Sequence, residues 1–293
     1  MYTVTDGLQI APCHAEQIET IRRRYDHETS SHAYNTLYIW RNFVGGQLHL
    51  EAELFSLYYR AKGPNAWIFP CGEKEAACRF IEAHLPETDF TLCYLREQDV
   101  QLLEERFPGC FRIEPAPSDS EYLVDRAEHV ALAGKRYEKL RNKAKRAARD
   151  HAIEVQMLCE ENLPMALDVI HAWRGNRTVQ GVLDLYGDEE DAEPLHHLKE
   201  LGLTGILMLV DGKPFGVAAG FQLSDDTYDL FLAKECTKDP ALGYCLRREW
   251  MRAIPDTVRY VNLEDDLGIE GLRIMKKQMI PVKMNEMWMA VRA

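Results

Sequence analysis

The chain has 293 residues, of which 46% are hydrophobic and 28% are charged. This composition is typical of a globular protein and excludes a disordered chain. The formal net charge of −12 excludes a protein that coats nucleic acid with its whole surface, but it is compatible with a local basic patch. The first ten residues lack a signal-peptide pattern, and no apolar run approaches the ~20 residues that cross a membrane, so we expect a cytoplasmic protein.

The cysteines argue against a metal site. No pair has CxxC spacing, and no HExxH or HxH pattern is present, so the sequence predicts no bound metal. Their apolar neighbours predict buried thiols in a reducing compartment. The eight residues are Cys13, Cys71, Cys78, Cys93, Cys110, Cys159, Cys236 and Cys245.

The length predicts two domains, at roughly 150 residues per domain. In the first half, Ile18, Ile21 and Tyr25 recur at helical spacing, which predicts a helix over 14–25. The pattern then predicts two strands around the turn Gly63-Pro64-Asn65, followed by alternating helices and strands. The predicted strands are 48–60, 66–70, 90–95, 111–114 and 121–124. Of the helices between them, one follows Gly72 and another covers 97–106.

A basic segment follows at 128–151. Between Lys135 and Arg149 it carries eight basic residues and a single acid, Glu138. Tyr137 and Leu140 belong to a narrow apolar stripe at helical spacing, and the basic side chains line another face. The segment is therefore predicted to be a bridging helix that presents positive charge.

The second half has a recognisable element order. Residues 160–173 and 190–201 are predicted to be helical, and three antiparallel strands follow, with turns at Asp211-Gly212 and Ser224-Asp225-Asp226. The remaining predicted elements are a helix at 242–254, a strand at 258–264, a helix at 269–277 and a terminal strand near 281–291. This is the order of the GCN5-related N-acetyltransferase fold, an α/β (α+β) class, and by itself it indicates fold rather than chemistry.

Three stretches together resemble one family: YNTLYIW (34–40), LAGKRYEKLRNKAKR (132–146) and NLEDDLGIEGLRIMKK (262–277). They are similar to the bacterial domain family related to the catalytic C-terminal domain of phosphatidylglycerol lysyltransferase. The resemblance implies two acyltransferase-like domains in tandem, at 1–126 and 153–293, joined by the basic helix at 127–152. It also implies kinship with enzymes that pass an aminoacyl group from aminoacyl-tRNA to a lipid or peptidoglycan precursor. The chain departs from the expected pattern at Ala233 and Met279.

The acyl donor is expected to be aminoacyl-tRNA rather than acetyl-CoA. Acetyl-CoA enzymes of this fold hold pyrophosphate on a glycine-rich loop at a helix N-terminus, whereas the loop at 237–243 has one glycine, a proline and an aspartate. The basic helix offers phosphate contacts instead. The candidates are Lys135, Arg136, Lys139, Arg141, Asn142, Lys143, Lys145 and Arg146, with Tyr137 stacking on a base. The alternatives are a solvated helix face, a contact with the acidic remainder of the chain, or an anionic lipid headgroup.

The catalytic candidates lie near strand ends. Glu264, Asp266 and Asp229 are the predicted acid–base residues, and Asn262 and Lys276 are predicted to bind the donor or its phosphate. The alternative for Asp266 is a structural role at a helix start, and for Asp229 a position facing solvent. Three functions stay open: an aminoacyltransferase, an acyl-CoA N-acyltransferase, and a non-catalytic binding module. In the last case, internal salt bridges would occupy the acids at 264–266.

Overall fold

The computed structural model describes residues 8–175 and 192–293. The helices in these ranges are α1 Ala15–Arg24, α2 Tyr34–Ile39, α3 Arg41–Val44, α4 Lys74–His84, α5 Glu97–Arg106, α6 Arg126–Ala131, α7 Glu138–Asp150, α8 Leu163–Gly175, α9 Pro240–Ala253 and α10 Glu270–Gln278. The strands are β1 Leu8–Gln9, β2 Gln47–Glu51, β3 Leu54–Leu57, β4 Asn65–Ile68, β5 Cys71–Gly72, β6 Phe90–Leu95, β7 Phe111–Pro115, β8 Glu121–Asp125, β9 Ile153–Met157, β10 Thr204–Val210, β11 Lys213–Gln222, β12 Thr227–Glu235, β13 Tyr260–Asn262, β14 Lys283–Asn285 and β15 Trp288–Arg292. The predicted α/β class with mixed sheets flanked by helices is confirmed.

The chain divides into two compact units. The first consists of Met1–Glu121, Asp265–Arg273 and Met284–Ala293, and the second of Tyr122–Glu264 and Ile274–Lys283. The first unit changes to the second after Glu121, whereas the predicted boundary was at 126. The sequence prediction did not anticipate that two later segments belong to the first unit.

The first unit contains two four-stranded sheets, with the orders β1-β2-β3-β5 and β4-β6-β15-β7. Strand β15 lies inside the second sheet and pairs antiparallel with both β6 and β7. Helix α4 turns its apolar side chains, among them Phe80 and Ile81, into the core beside β6. The last strand of the chain thus completes the sheet of the N-terminal unit.

The second unit is built on a seven-stranded sheet with the order β14-β8-β13-β12-β11-β10-β9. Strands β10, β11 and β12 form the predicted antiparallel meander, and β13 returns parallel to β12 after α9. Leu242, Cys245, Leu246 and Trp250 of α9 are buried against one face of the sheet, as their spacing predicted. Helix α8 covers the opposite face. This is the element order of the predicted acyltransferase-type fold.

Two local predictions are wrong. The bridging helix predicted over 127–152 is two helices, α6 and α7, because the chain turns left-handed between them at Leu132 and Gly134. The region predicted as a helix over 190–201 contains, where it is described, a short 3-10 turn at Glu193–His197. Positions 190 and 191 lie outside the described residues.

The prediction that all cysteines are buried is also wrong. All eight are free thiols, but four are not buried: Cys13 and Cys159 are exposed, and Cys110 and Cys236 are partly exposed. In the ranges that the structure describes, no helix is both long and apolar enough to span a membrane.

The first unit buries a pair of histidines. The rings of His27 and His32 lie 3.7 Å apart between centroids, and both side chains are almost wholly buried. His32 Nε2 is bonded to the carbonyl of Phe69 at 2.8 Å, whereas His27 Nε2 contacts no polar partner among the described residues. Burial lowers the pKa of His27 well below its usual value and lowers the pKa of His32 to about 3. Both rings are therefore neutral at pH 7.

We expect this pair to make the protein acid-labile. Because the folded pKa lies below the unfolded value of 6.5, the stabilisation is complete above pH 6.5 and is lost as the pH falls. Keeping each histidine neutral lowers the free energy of unfolding by about 2 kcal/mol at pH 5, relative to pH 7.5. Thermal unfolding at pH 7.5 and pH 5 measures the loss. His27→Phe should lose less stability than the wild type over that interval, while His196→Gln, at an exposed histidine, should behave like the wild type. Equal losses in all three proteins would contradict this account.

Candidate functional site: the fork between two parallel strands

Strands β12 and β13 form a fork. Their parallel pairing covers only three residues on each strand: Thr227–Asp229 of β12 pairs with Tyr260–Asn262 of β13. Strand β12 then continues to Glu235 and is paired with β11 alone. Within the part of the chain that the structure describes, no strand occupies its other edge over 230–235. Because ligands of α/β sheets bind where neighbouring strands diverge at their carboxyl ends, this fork is the candidate site.

Asp229 and Asn262 lie at the base of the fork. They are register partners on β12 and β13, and both are 0% exposed. The residues that flank each of them pack with α9, so Asp229 and Asn262 point to the opposite face of the sheet. The structure thus brings together two residues that the sequence singled out separately. The alternative that placed Asp229 in solvent is wrong, because this strand is covered on both faces.

Glu264 follows the fork in an uncommon backbone conformation. Its φ angle is +59°, in the left-handed region that non-glycine residues rarely adopt. The side chain of Asn262 supports this turn, since its Oδ1 accepts a hydrogen bond from the Glu264 amide at 2.8 Å. Glu264 itself is half-buried. Asn262 therefore orients Glu264, which fits a positioning role better than direct binding of the donor.

Asp266 has a structural role. Its carboxylate is 0% exposed and accepts two hydrogen bonds from Arg273, at 2.9 and 3.0 Å, and one from the Gly268 amide at 2.9 Å. A carboxylate held in this way has little capacity to accept a proton from a substrate. The catalytic role predicted for Asp266 is not supported, and the alternative of a structural residue near the start of α10 fits the contacts. Lys276 is only 7% exposed, so its predicted role in binding phosphate is not supported either.

The predicted basic residues around α7 fall into two groups. Arg141 donates to the carbonyls of Leu132 and Gly134, at 2.6 and 2.9 Å, and so stabilises the C-terminal end of α6. Arg136 is directed to the carbonyls of residues 280 and 281, and Lys143 to Gln278. The remaining candidates are exposed: Lys135, Lys139, Asn142, Lys145 and Arg146.

Tyr137 is not available to stack on a base. Its ring is 3% exposed and packs in the core of the second unit, and its hydroxyl donates to Glu128. Burial, together with that bond, raises the pKa of Tyr137 above its usual value. The predicted stacking role is therefore wrong. The apolar stripe that included Tyr137 and Leu140 explains its position.

The N-terminus of α9 is already capped. The Asp239 carboxylate accepts from the amides of Ala241 and Leu242, at 2.7 and 3.1 Å, so two of the N–H groups that would bind pyrophosphate are occupied by a negative charge. Arg146 of α7 approaches the same carboxylate at 3.5 Å. A depression of about 260 Å³ lies here, lined by Arg146, Ala147, Asp150, His151, Asp239, Ala241 and Leu242. That this loop is a weak phosphate site stays a prediction, and the Asp239 cap is consistent with it.

Glu235 is a candidate that the sequence prediction did not identify. It ends β12, and its carboxylate lies against α9, where any side chain in place of Gly243 would come within 2.3 Å of Oε2. Burial raises the pKa of Glu235, and Arg247, at 4.0 Å, offsets part of that effect. A carboxylate with a raised pKa is suited to act as a general base. A signal was available in the sequence, because Glu235 stands at a strand end that precedes a helix.

The comparisons with known proteins agree with the fold. The chain matches the family described as "Phosphatidylglycerol lysyltransferase, C-terminal" over residues 22–291. No curated protein matches the chain.

Solved structures share the fold over nearly the whole chain. A conserved protein of unknown function from Bacteroides thetaiotaomicron is 23% identical, with a TM-score of 0.87 over 98% of this chain and 99% of that one. The C-terminal domain of a putative lysylphosphatidylglycerol synthetase from Agrobacterium fabrum is 16% identical, with a TM-score of 0.68 over 97% and 92%. L-PGS from Bacillus licheniformis is 13% identical, with a TM-score of 0.67 over 98% and 94%.

Breaking the ion pair of Asp266 should destabilise the protein. We expect Arg273→Met to lower the free energy of unfolding by about 3 kcal/mol, because it leaves a buried carboxylate without its cation. The double variant Asp266→Asn/Arg273→Met should recover part of the loss, since neither charge is then left alone. Chemical unfolding measures both effects. Lys277→Met, which removes an exposed cation from the same helix, is the matched control. An unchanged stability in Arg273→Met would reopen a catalytic role for Asp266.

Proposed function

The chain belongs to the phosphatidylglycerol lysyltransferase C-terminal family, and we propose that it transfers an aminoacyl group from aminoacyl-tRNA to a lipid or cell-wall precursor. The acceptor is an amine or a hydroxyl. In this reaction the acceptor attacks the aminoacyl ester, the new amide or ester bond forms, and the bond to the tRNA ribose breaks. The proton of the acceptor passes to a carboxylate, and the ribose hydroxyl leaves protonated. Aminoacyl-tRNA is a cytoplasmic substrate, so the proposal places the protein in the cytoplasm.

The observation that carries the proposal is the distribution of charge around α9. Asp239 occupies the helix N-terminus with a carboxylate, which disfavours the pyrophosphate of an acyl-CoA. The α7 helix, which contacts α9 through Arg146, presents exposed basic side chains. Lys135, Lys139 and Lys145 have no polar partner among the described residues. Side chains of this kind bind a polyanion by neutralising phosphates, which suits the acceptor end of a tRNA.

The fork supplies groups for the proton transfer. Glu235 lies at the end of β12 with a raised pKa, Glu264 follows β13, and Asp229 is buried at the base. Glu235 and Glu264 are more accessible than Asp229. We assign the general base to Glu235 because its pKa lies closer to neutrality than that of an ordinary carboxylate. Asp229 and Asn262 then maintain the geometry of the fork.

A non-catalytic binding module is the second candidate. It is favoured by the capture of Asp266 by Arg273, because one of the acids predicted for catalysis is consumed by an internal ion pair. Asp265 is also partly used, since its Oδ1 accepts a hydrogen bond from the Leu267 amide at 3.2 Å. In this case the protein would bind tRNA or an acceptor without transferring the amino acid.

The exposed lysines should determine tRNA binding. We expect Lys135→Ala/Lys139→Ala/Lys145→Ala to weaken binding at least tenfold in low salt. The slope of log K against log salt should fall by about 2 to 3, because each lost phosphate contact removes about 0.9. Filter binding of a mixed aminoacyl-tRNA pool at several salt concentrations measures this. The control is Lys74→Ala/Lys199→Ala/Lys213→Ala, which removes the same charge from exposed sites elsewhere.

Transfer itself is tested with a radiolabelled aminoacyl-tRNA pool and extracts of lipids and cell-wall precursors. Binding without transfer of any amino acid would favour the binding module, and an absence of both would overturn the proposal. Millimolar acetyl-CoA is expected to leave the thermal stability unchanged. A clear stabilisation would indicate an acyl-CoA enzyme instead.

Glu235→Gln should lower kcat for transfer by about 100-fold or more, which is the usual contribution of a general base. KM for aminoacyl-tRNA should change little, since Glu235 is not among the phosphate contacts. Because a general base must be deprotonated, the wild-type rate should fall as the pH drops towards the raised pKa of Glu235, and this fall should be absent in the variant. Glu249→Gln, at a partly buried acid on α9, is the matched control. Wild-type kcat in Glu235→Gln would exclude Glu235 as the base.

A further inference from the structure

Strand β9 is the outer strand of the seven-stranded sheet. The amide of Leu158 donates to the Gly205 carbonyl at 2.9 Å, and the Asp211 amide donates to the Ala152 carbonyl at 2.8 Å. The even-numbered residues of this stretch therefore direct their backbone groups towards β10. The odd-numbered residues, Ile153, Val155 and Met157, direct N–H and C=O groups away from the sheet. No strand among the described residues pairs with that edge.

The odd-numbered and even-numbered side chains of β9 lie on opposite faces of the sheet. Ile153 packs against the core beneath α9, and Val155 and Met157 continue the same face but are 39% and 54% exposed. Glu154 and Gln156 lie on the other face, where the Gln156 amide donates to the Glu154 carboxylate at 2.7 Å. The strand carries one charge and no proline, so it lacks most of the devices that keep open edges from pairing.

We propose that β9 pairs antiparallel with β9 of a second copy of this chain, about a two-fold axis at Val155. The strand is complementary to itself in this register. Val155 faces the partner's Val155, and Ile153 faces the partner's Met157, so the apolar side chains lie side by side on one face. On the other face Glu154 meets the partner's Gln156, a carboxylate opposite an amide donor.

The backbone fits the same register. The three outward-facing residues of one copy meet the three of the other, and each pair exchanges two hydrogen bonds, which gives six. The interface is isologous, as closed dimers require. A five-residue edge buries much less surface than the ~1,200–2,000 Å² that stable protein interfaces bury. The dimer is therefore weak and forms in the micromolar range or above.

Sedimentation equilibrium from about 5 to 500 µM tests the association. The wild type should dimerise in this range. Val155→Glu places two like charges directly opposite each other and should weaken the dimer at least tenfold. Val155→Thr keeps a β-branched side chain, so this variant should still dimerise. A wild type that is monomeric at every concentration, or a dimer that Val155→Glu leaves intact, would overturn the proposal.

A cross-link gives a second test that does not depend on how Val155→Glu folds. In a Cys13→Ser/Cys159→Ser background, which removes the exposed thiols, Val155→Cys should form an intermolecular disulfide on mild oxidation. The expected distance of about 5.5 Å between the two Cα atoms suits this bond. Leu8→Cys, which is 47% exposed on another strand, is the matched control and should stay reduced under the same conditions. Equal cross-linking of both variants would show random collision and would count against the β9 pairing.

Discussion

The short parallel pairing of β12 with β13 is the constraint on which the C-terminal unit depends. The chain makes three antiparallel strands and then crosses the sheet through α9, so β13 returns in the same direction as β12. Pairing ends after three residues, which opens the sheet along the rest of β12. Everything assigned to the site follows from that opening. Asp229 and Asn262 meet where the strands join, and Glu235 lies where β12 ends.

In the proposed function, the distribution of charge determines which donor the protein uses. A helix N-terminus attracts an anion because its amides are unpaired, and Asp239 supplies that anion from within the chain. A protein with a net charge of −12 repels a polyanion over most of its surface, so recognition depends on a local excess of positive charge. Helix α7 supplies it. Under the proposed function, the scaffold therefore uses a larger, flexible donor instead of a small cofactor.

The sequence predicted the local elements well and the long-range contacts poorly. The meander and the buried face of α9 were predictable because they depend on periodicity and on turn residues. The burial of Asp229 was not predictable. A strand that is covered on both faces has no solvent-exposed side, so the alternation of polar and apolar residues does not indicate which side chains are buried. The break between α6 and α7 lies at Leu132 and Gly134; the glycine gives a turn signal, but the left-handed backbone already begins at Leu132, a residue type that gives none. The partner of Asp266 lies seven residues away on a helix, which is too far for a local pattern to indicate.

The placement of β15 has a consequence for how the protein is made. The sheet β4-β6-β15-β7 needs this strand in its interior, yet the ribosome synthesises β15 after the whole of the second unit. The unit that begins first is therefore finished last. Until β15 arrives, β6 and β7 each present an unpaired edge, and the growing chain must keep them from pairing elsewhere. The nascent N-terminal unit therefore exposes two strand edges for as long as the second unit is being synthesised.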